Sequence, residues 1–234
     1  MALGVLVGGV GFTVVTVQDA DRDPGAPTWK FPRTVADDEE AQGEASGLRG
    51  LLLPYEDDLY MPGPDLAEFG SDVELSGRQA TALRKESIKD LPRSARREME
   101  KEIDKQRITG MVMRSYLYAE PFAVSDDKTF TVSVVLSQME NRNAVRGIST
   151  SQNDVFAALD IFREGPKIKG HKNARCFLTP EVEESGIDRM ICSAYQGDVL
   201  VNATASGIGP LDSKAVATFL ADQLDRIDTP GEAV

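Results

Sequence analysis

Histidine and tryptophan each occur once in the 234 residues, and cysteine only twice. With Cys176 and Cys192 as the whole thiol inventory and no CxxC pair, neither a dithiol redox centre nor a four-cysteine zinc site has its ligands. No serine sits in a G-x-S-x-G elbow, and Gly207-x-Gly209 lacks the third glycine and the lysine of phosphate-cradling loops. Positive charge is also scarce: 26 Lys and Arg stand against 38 Asp and Glu, a net charge of −12. That balance argues against nucleic acid or an anionic lipid surface as the main partner. The acids Glu56, Asp57, Asp58, Asp65 and Glu68 gather without the spacing of a calcium loop, and no carboxylate pair stands out for glycoside hydrolysis. His171, flanked by Gly170 and Lys172, has no nucleophile beside it and is expected as an exposed loop residue. No catalytic residue, metal or cofactor is nominated.

The most telling stretch present is Met1–Gln18, which carries no charge before the chain turns acidic at Asp19, Asp21 and Asp23. Eighteen helical residues reach about 27 Å, close to the hydrocarbon thickness of a bilayer. Residues 1–18 therefore read as a single transmembrane anchor. The run is slightly short and lacks the Lys or Arg expected on its cytoplasmic side, which predicts a native start upstream of Met1. Thr16–Ala20 offers no A-x-A cleavage pattern, so the anchor is expected to stay attached. The expected location is the cell membrane, single-pass, with the C-terminal part outside; the alternative is secretion.

Residues 19–47, rich in Asp, Glu, Pro and Gly without hydrophobic periodicity, read as an acidic disordered linker. Its only aromatics, Trp29 and Phe31, are expected to be solvent-exposed. Residues 48–228 then form one domain, with 229–234 as a tail. Residues 18–74 hold fifteen acids and four bases, and 75–114 six acids and eleven bases. The basic stretch fits a solvated helix laced by pairs such as Glu98–Lys101 and Glu102–Lys105.

Ser76 caps a first expected helix over Gly77–Lys89. Asp90 caps a second, whose Leu91, Ala95, Met99 and Ile103 recur every four residues as a buried stripe. After Gly110 the period becomes two. Met111–Tyr118 alternates and pairs through a turn at Asp126–Asp127 with Thr129–Leu136. A third helix is expected from Ser151, carrying Val155, Phe156, Leu159 and Phe162, and ending at Gly165–Pro166. Strands follow around Cys176, around Cys192 and over Asp198–Ala205. Asp212 then caps an amphipathic helix bearing Val216, Phe219, Leu220, Leu224 and Ile227. Hairpins with helices between them predict an α+β domain, an antiparallel sheet with helices packed on one face.

Two features bear on function. Cys176 and Cys192 flank a polar loop centred on Glu184, so an exported domain would join them in a disulfide across a hairpin. Closing a loop of about fifteen residues contributes on the order of 3 kcal/mol. The strand face of Arg114, Tyr116 and Tyr118 has the composition of a binding surface for a carboxylate-bearing or peptide-like partner. The competing reading is a face covered by a helix, with Arg114 paired to an acid.

The anchor, acidic linker, LLLP lead-in, the segment DLPRSARREMEKEID…GMVMRSY, the disulfide hairpin and the closing GDVLVNATASG…DSKAVATFLADQLDRI together resemble exported proteins of actinomycetes. The last strand and helix are also similar to actinobacterial cell-envelope lipoproteins and to extracellular sensor domains of membrane kinases. These resemblances imply an α+β domain that binds or senses something outside the cell, without implying catalytic residues. The chain departs from both groups in having neither a lipidated cysteine nor a kinase domain. The expected function is a membrane-tethered extracytoplasmic binding, sensing or accessory domain. Its expected partners are the membrane, through residues 1–18, and an envelope protein or small ligand. The alternatives are a secreted or surface hydrolase using carboxylates, with His171 as helper, and a structural envelope protein.

Overall fold

The computed structural model describes residues 47–56, 59–119, 129–180 and 186–229. The expected anchor, the linker up to residue 46, the Asp126–Asp127 turn, Glu184 and the last five residues lie outside them. Among the described residues no helix is long and apolar enough to cross a membrane.

Among the described residues eight strands and four α-helices make an α+β fold. In chain order these are β1 (Tyr60–Pro62), β2 (Asp72–Ser76), α1 (Gly77–Glu86), α2 (Arg93–Lys105), β3 (Ile108–Tyr118) and β4 (Phe130–Met139). After them come α3 (Arg142–Ala158), β5 (Arg163–Glu164), β6 (Arg175–Leu178), β7 (Ile187–Gln196), β8 (Val199–Ile208) and α4 (Ser213–Asp228). One antiparallel sheet runs β1-β3-β4-β8-β7-β6-β5, and β2 pairs with the part of β3 that β1 leaves open. The expected hairpin partners are neighbours: Met113 lies opposite Val135, and Cys176 opposite Cys192. Gly197, at φ +59°, makes the tight turn between β7 and β8, a conformation with little steric penalty only for a residue without Cβ.

Alternation along the strands supplies two cores. Val112, Tyr116, Val132, Val134, Val201, Ala203 and Cys192 project to one side and pack on Val216, Phe219, Leu220 and Leu224 of α4. Each of those four helix side chains is almost wholly buried, worth roughly 1.5–3 kcal/mol apiece. The opposite parity, Met111, Met113 and Leu200, packs on Ala80 of α1 and Val145 of α3. The helices thus occupy both faces of the sheet, which corrects the expectation of one covered face. The physical reason is that β3 and β8 carry large apolar residues at both parities, so each face needs its own cover.

Two helices also differ from expectation. α3 starts nine residues before Ser151, where the Asn141 side chain accepts from the amides of Asn143 and Ala144. Its buried stripe is Val145, Ser149 and Asn153, whereas Val155 is exposed. Two polar residues on that stripe conceal it from a hydrophobic pattern. In α2 only Ile103 of the expected stripe is buried, and Leu91 and Met99 are exposed. α1 begins as expected: Ser76 and Gln79 form a reciprocal capping box.

Candidate functional site

Arg114, Tyr116 and Tyr118 share one side of β3, but α4 and the lead-in to the domain cover that side. Arg114 is 7% exposed and Tyr116 wholly buried. Arg114 Nη2 lies 2.6 Å from Asp72 Oδ2, an oxygen also contacted by Arg49 Nη2 at 2.7 Å. Its Nη1 and the Tyr116 hydroxyl both donate to the Leu53 carbonyl, at 2.9 and 2.8 Å. Across the same segment the Leu53 amide donates to Gln223 Oε1, and Gln223 Nε2 donates to the Leu51 carbonyl. Tyr55 stacks its ring under the Arg114 guanidinium at 4.9 Å. Tyr118, half-buried, lies against Phe130 with ring centroids 4.5 Å apart.

Burial works against the Arg114 charge. Tyr116 and the hydrogen-bonded Asp72 more than offset it, and its pKa lies above the ordinary arginine value. Burial likewise raises the Tyr116 hydroxyl pKa despite the nearby arginine. These groups bind the LLLP lead-in, whose backbone polar atoms would otherwise be buried without partners. The arrangement has the chemistry of an internal clamp.

The charged cleft lies elsewhere, between α4 and the chain from Pro166 to Gly170. It has a volume of about 500 Å³ and is lined by Lys167, Lys169, Lys214, Asp222 and Asp225, with Ala217, Thr218 and Ala221 between the charged positions. The sequence places the helical wall by spacing alone: positions 214, 218, 221 and 225 recur at three and four, so they share one stripe of α4. Asp212 fixes the start of this helix, its carboxylate accepting from the amides of Lys214 and Ala215. The Thr218 hydroxyl is turned back to the Lys214 carbonyl. On the other wall, Gly170 holds φ +84°.

His171 anchors that wall. Its Nε2 lies 2.8 Å from Asp225 Oδ1, 54 residues along the chain, and the residue is only 7% exposed. The expectation of an exposed loop histidine is therefore corrected: the loop folds inward because the ring exchanges water for a carboxylate on α4. The three lysines of the cleft make no ion pair among the described residues. Asp222 is half-buried, and its carboxyl pKa is raised by burial, by Asp225 and by Glu56, in that order. Sequence reasoning does not reach this cleft, although the Lys214-to-Asp225 stripe is a readable signal beside the stronger apolar pattern of α4.

The expected disulfide is present, Cys176 to Cys192, with both cysteines buried beside α4. It pins β6 to β7 next to the cleft wall. A Cβ on Gly165 would come within 3.0 Å of Cys176, so the chain leaves β5 in close contact with the bridge. Among the described residues no cluster of His, Cys, Asp and Glu suits a metal ion.

No protein-family model matches the chain, and no curated protein matches it. Among solved structures it is similar to the extracellular domain of PknH from Mycobacterium tuberculosis, at 12% identity and a TM-score of 0.42. That alignment covers 79% of this chain and all of the other.

Proposed function

We propose that this protein is an extracytoplasmic binding and sensing domain, tethered to the membrane through residues 1–18, whose recognition site is the cleft between α4 and residues 166–170. The observation that carries the reading is the double duty of α4. One stripe of the helix lines the cleft with Lys214, Asp222 and Asp225. Another grips the lead-in segment: Gln223 holds Leu51 and Leu53, and Arg226 Nε donates to the Leu52 carbonyl. That segment leads directly to the linker and the expected anchor. A ligand bound against α4 would therefore alter the packing of the piece of chain nearest the membrane. The buried Cys176–Cys192 disulfide supports an oxidising location.

His171 bears on the hydrolase alternative. It is absent from the cleft lining, and its Nε2 is engaged by Asp225. Binding therefore accounts for the charges better than acid–base catalysis does.

The test has two arms. Alkylation of thiols in intact cells, followed by fractionation, should find both cysteines blocked and the protein in the membrane fraction; free thiols in the cytosol would overturn the placement. A thermal-shift panel of small anions, cations and zwitterions on the full chain should yield stabilising compounds whose effect is lost in the Lys214→Met, Asp222→Asn double variant. A panel without effect, or one to which the variant responds equally, would overturn the site.

A further inference from the structure

The distribution of charge along the cleft defines what can fill it. On α4, Lys214 precedes Asp222 by eight residues and Asp225 by eleven. At 1.5 Å rise per residue these positions are separated along the axis by about 12 and 16 Å. Between them the helical wall is made of small residues, Ala217, Thr218 and Ala221, which leave room for an elongated molecule. The facing wall adds the ammonium groups of Lys167 and Lys169.

A ligand of one charge sign is poorly matched to this lining. A phosphate or dicarboxylate long enough to occupy the whole cleft would face Asp222 and Asp225, and a polyamine or metal ion would face three lysines. A molecule with an anionic and a cationic end meets complementary groups at both. The cationic end is the better defined, because Asp222 is half-buried, carries no ion pair among the described residues, and feels two further carboxylates, Asp225 and Glu56. An ammonium placed there offsets a repulsion already built into the fold.

We propose, resting on the reading of the cleft as the recognition site, that its ligand is a short extended peptide with free termini, its ammonium at Asp222 and Asp225 and its carboxylate at Lys214. Extended backbone advances about 3.4 Å per residue, so four or five residues span the roughly 12–16 Å between the charged positions. A volume of about 500 Å³ suits such a peptide with small side chains. The loop lysines are then placed to donate to its carbonyls.

Isothermal titration of the full chain with tetraalanine, its N-acetylated form and its C-terminal amide tests this. The free peptide should bind, and blocking either end should weaken binding by about tenfold, the usual worth of a charge-assisted contact. The two ends should also separate by variant. In Asp222→Asn the N-acetyl group should no longer matter while the amide still does, and in Lys214→Met the reverse. Equal binding of blocked and free peptides, or blocking penalties that the variants leave intact, would overturn the proposal. If peptides fail to bind but inorganic phosphate, citrate or spermidine does so in a manner abolished by the double variant, the ligand class is wrong and the cleft stands. If none of these probes binds, the peptide proposal falls, and the broader panel decides the cleft.

Discussion

Arg114 and Lys214 are both cations, one beneath α4 and one on it, yet their surroundings set them to different work. Around Arg114, water is gone and both terminal nitrogens of the guanidinium are committed inside the protein: Asp72 takes two arginines, and the Leu53 carbonyl takes Arg114 and Tyr116. Around Lys214 the charges stay wet, and none of the three lysines is paired among the described residues. A buried ion pair is bound by the cost of undoing it, because removing one partner leaves the other charged and dry. An exposed, unpaired charge is available to a ligand. Exposure and commitment, more than residue type, separate the clamp from the site.

The sharpest way to break that comparison is Asp72→Ala. It leaves Arg114, 9% exposed at its side chain, without its carboxylate. A loss of about 3–5 kcal/mol is expected in guanidinium unfolding. If the variant unfolds like the parent, the network is not a clamp and the strand face regains its claim as a binding surface.

Next in size is the bridge beside the cleft. Replacing Cys176 and Cys192 together by alanine frees a loop with a sequence separation of 16, for an expected cost of about 3 kcal/mol. The variant should also bind cleft ligands more weakly, because β6 and the chain from Gly165 to His171 lose their fixed support. Unfolding midpoints and titrations on the same preparation check both effects.

The sequence showed those regions unequally. The β3–β4 and β7–β8 hairpins and the cysteine pair were legible, since alternation and turn residues are local signals. β1 and β2 were not: strands of three and five residues carry no period of their own and exist because β3 offers them an edge. Arg114 was visible as an Arg among tyrosines, but its partners Asp72 and Leu53, and the Gln223 that holds Leu53 in turn, come from three other parts of the chain. The cleft was hidden for the same reason. Its wall from Pro166 to Gly170 reads as a lysine-bearing loop until His171 meets Asp225. The Met1–Gln18 leader, the clearest sequence signal, bears on location and leaves the site undetermined.

A smaller effect sharpens the comparison at the cleft itself. Lys214→Met, on an exposed stripe, should change stability by less than about 0.5 kcal/mol while removing the response to cleft ligands. A large loss of stability would mean that Lys214 is structural, like Arg114.

The smallest effect has the opposite sign from the first, and is for that reason the most discriminating. Burial, Asp225 and Glu56 raise the Asp222 carboxyl pKa above its ordinary value. A carboxyl raised on folding favours the fold in its protonated form. That contribution is fully present below the unfolded value of about 3.9 and is lost as pH rises through the folded value. At neutral pH the ionised Asp222 therefore subtracts a little stability. Asp222→Asn should melt slightly above the parent at pH 7, and the gap should close as the pH falls below about 4, where the parent's carboxyl is protonated. Removing a carboxylate from the clamp destabilises; removing one from the cleft stabilises. An Asn variant that melts lower at pH 7 would show that Asp222 already has its cation inside the protein, and the cleft would lose the unmet charge that makes it a site.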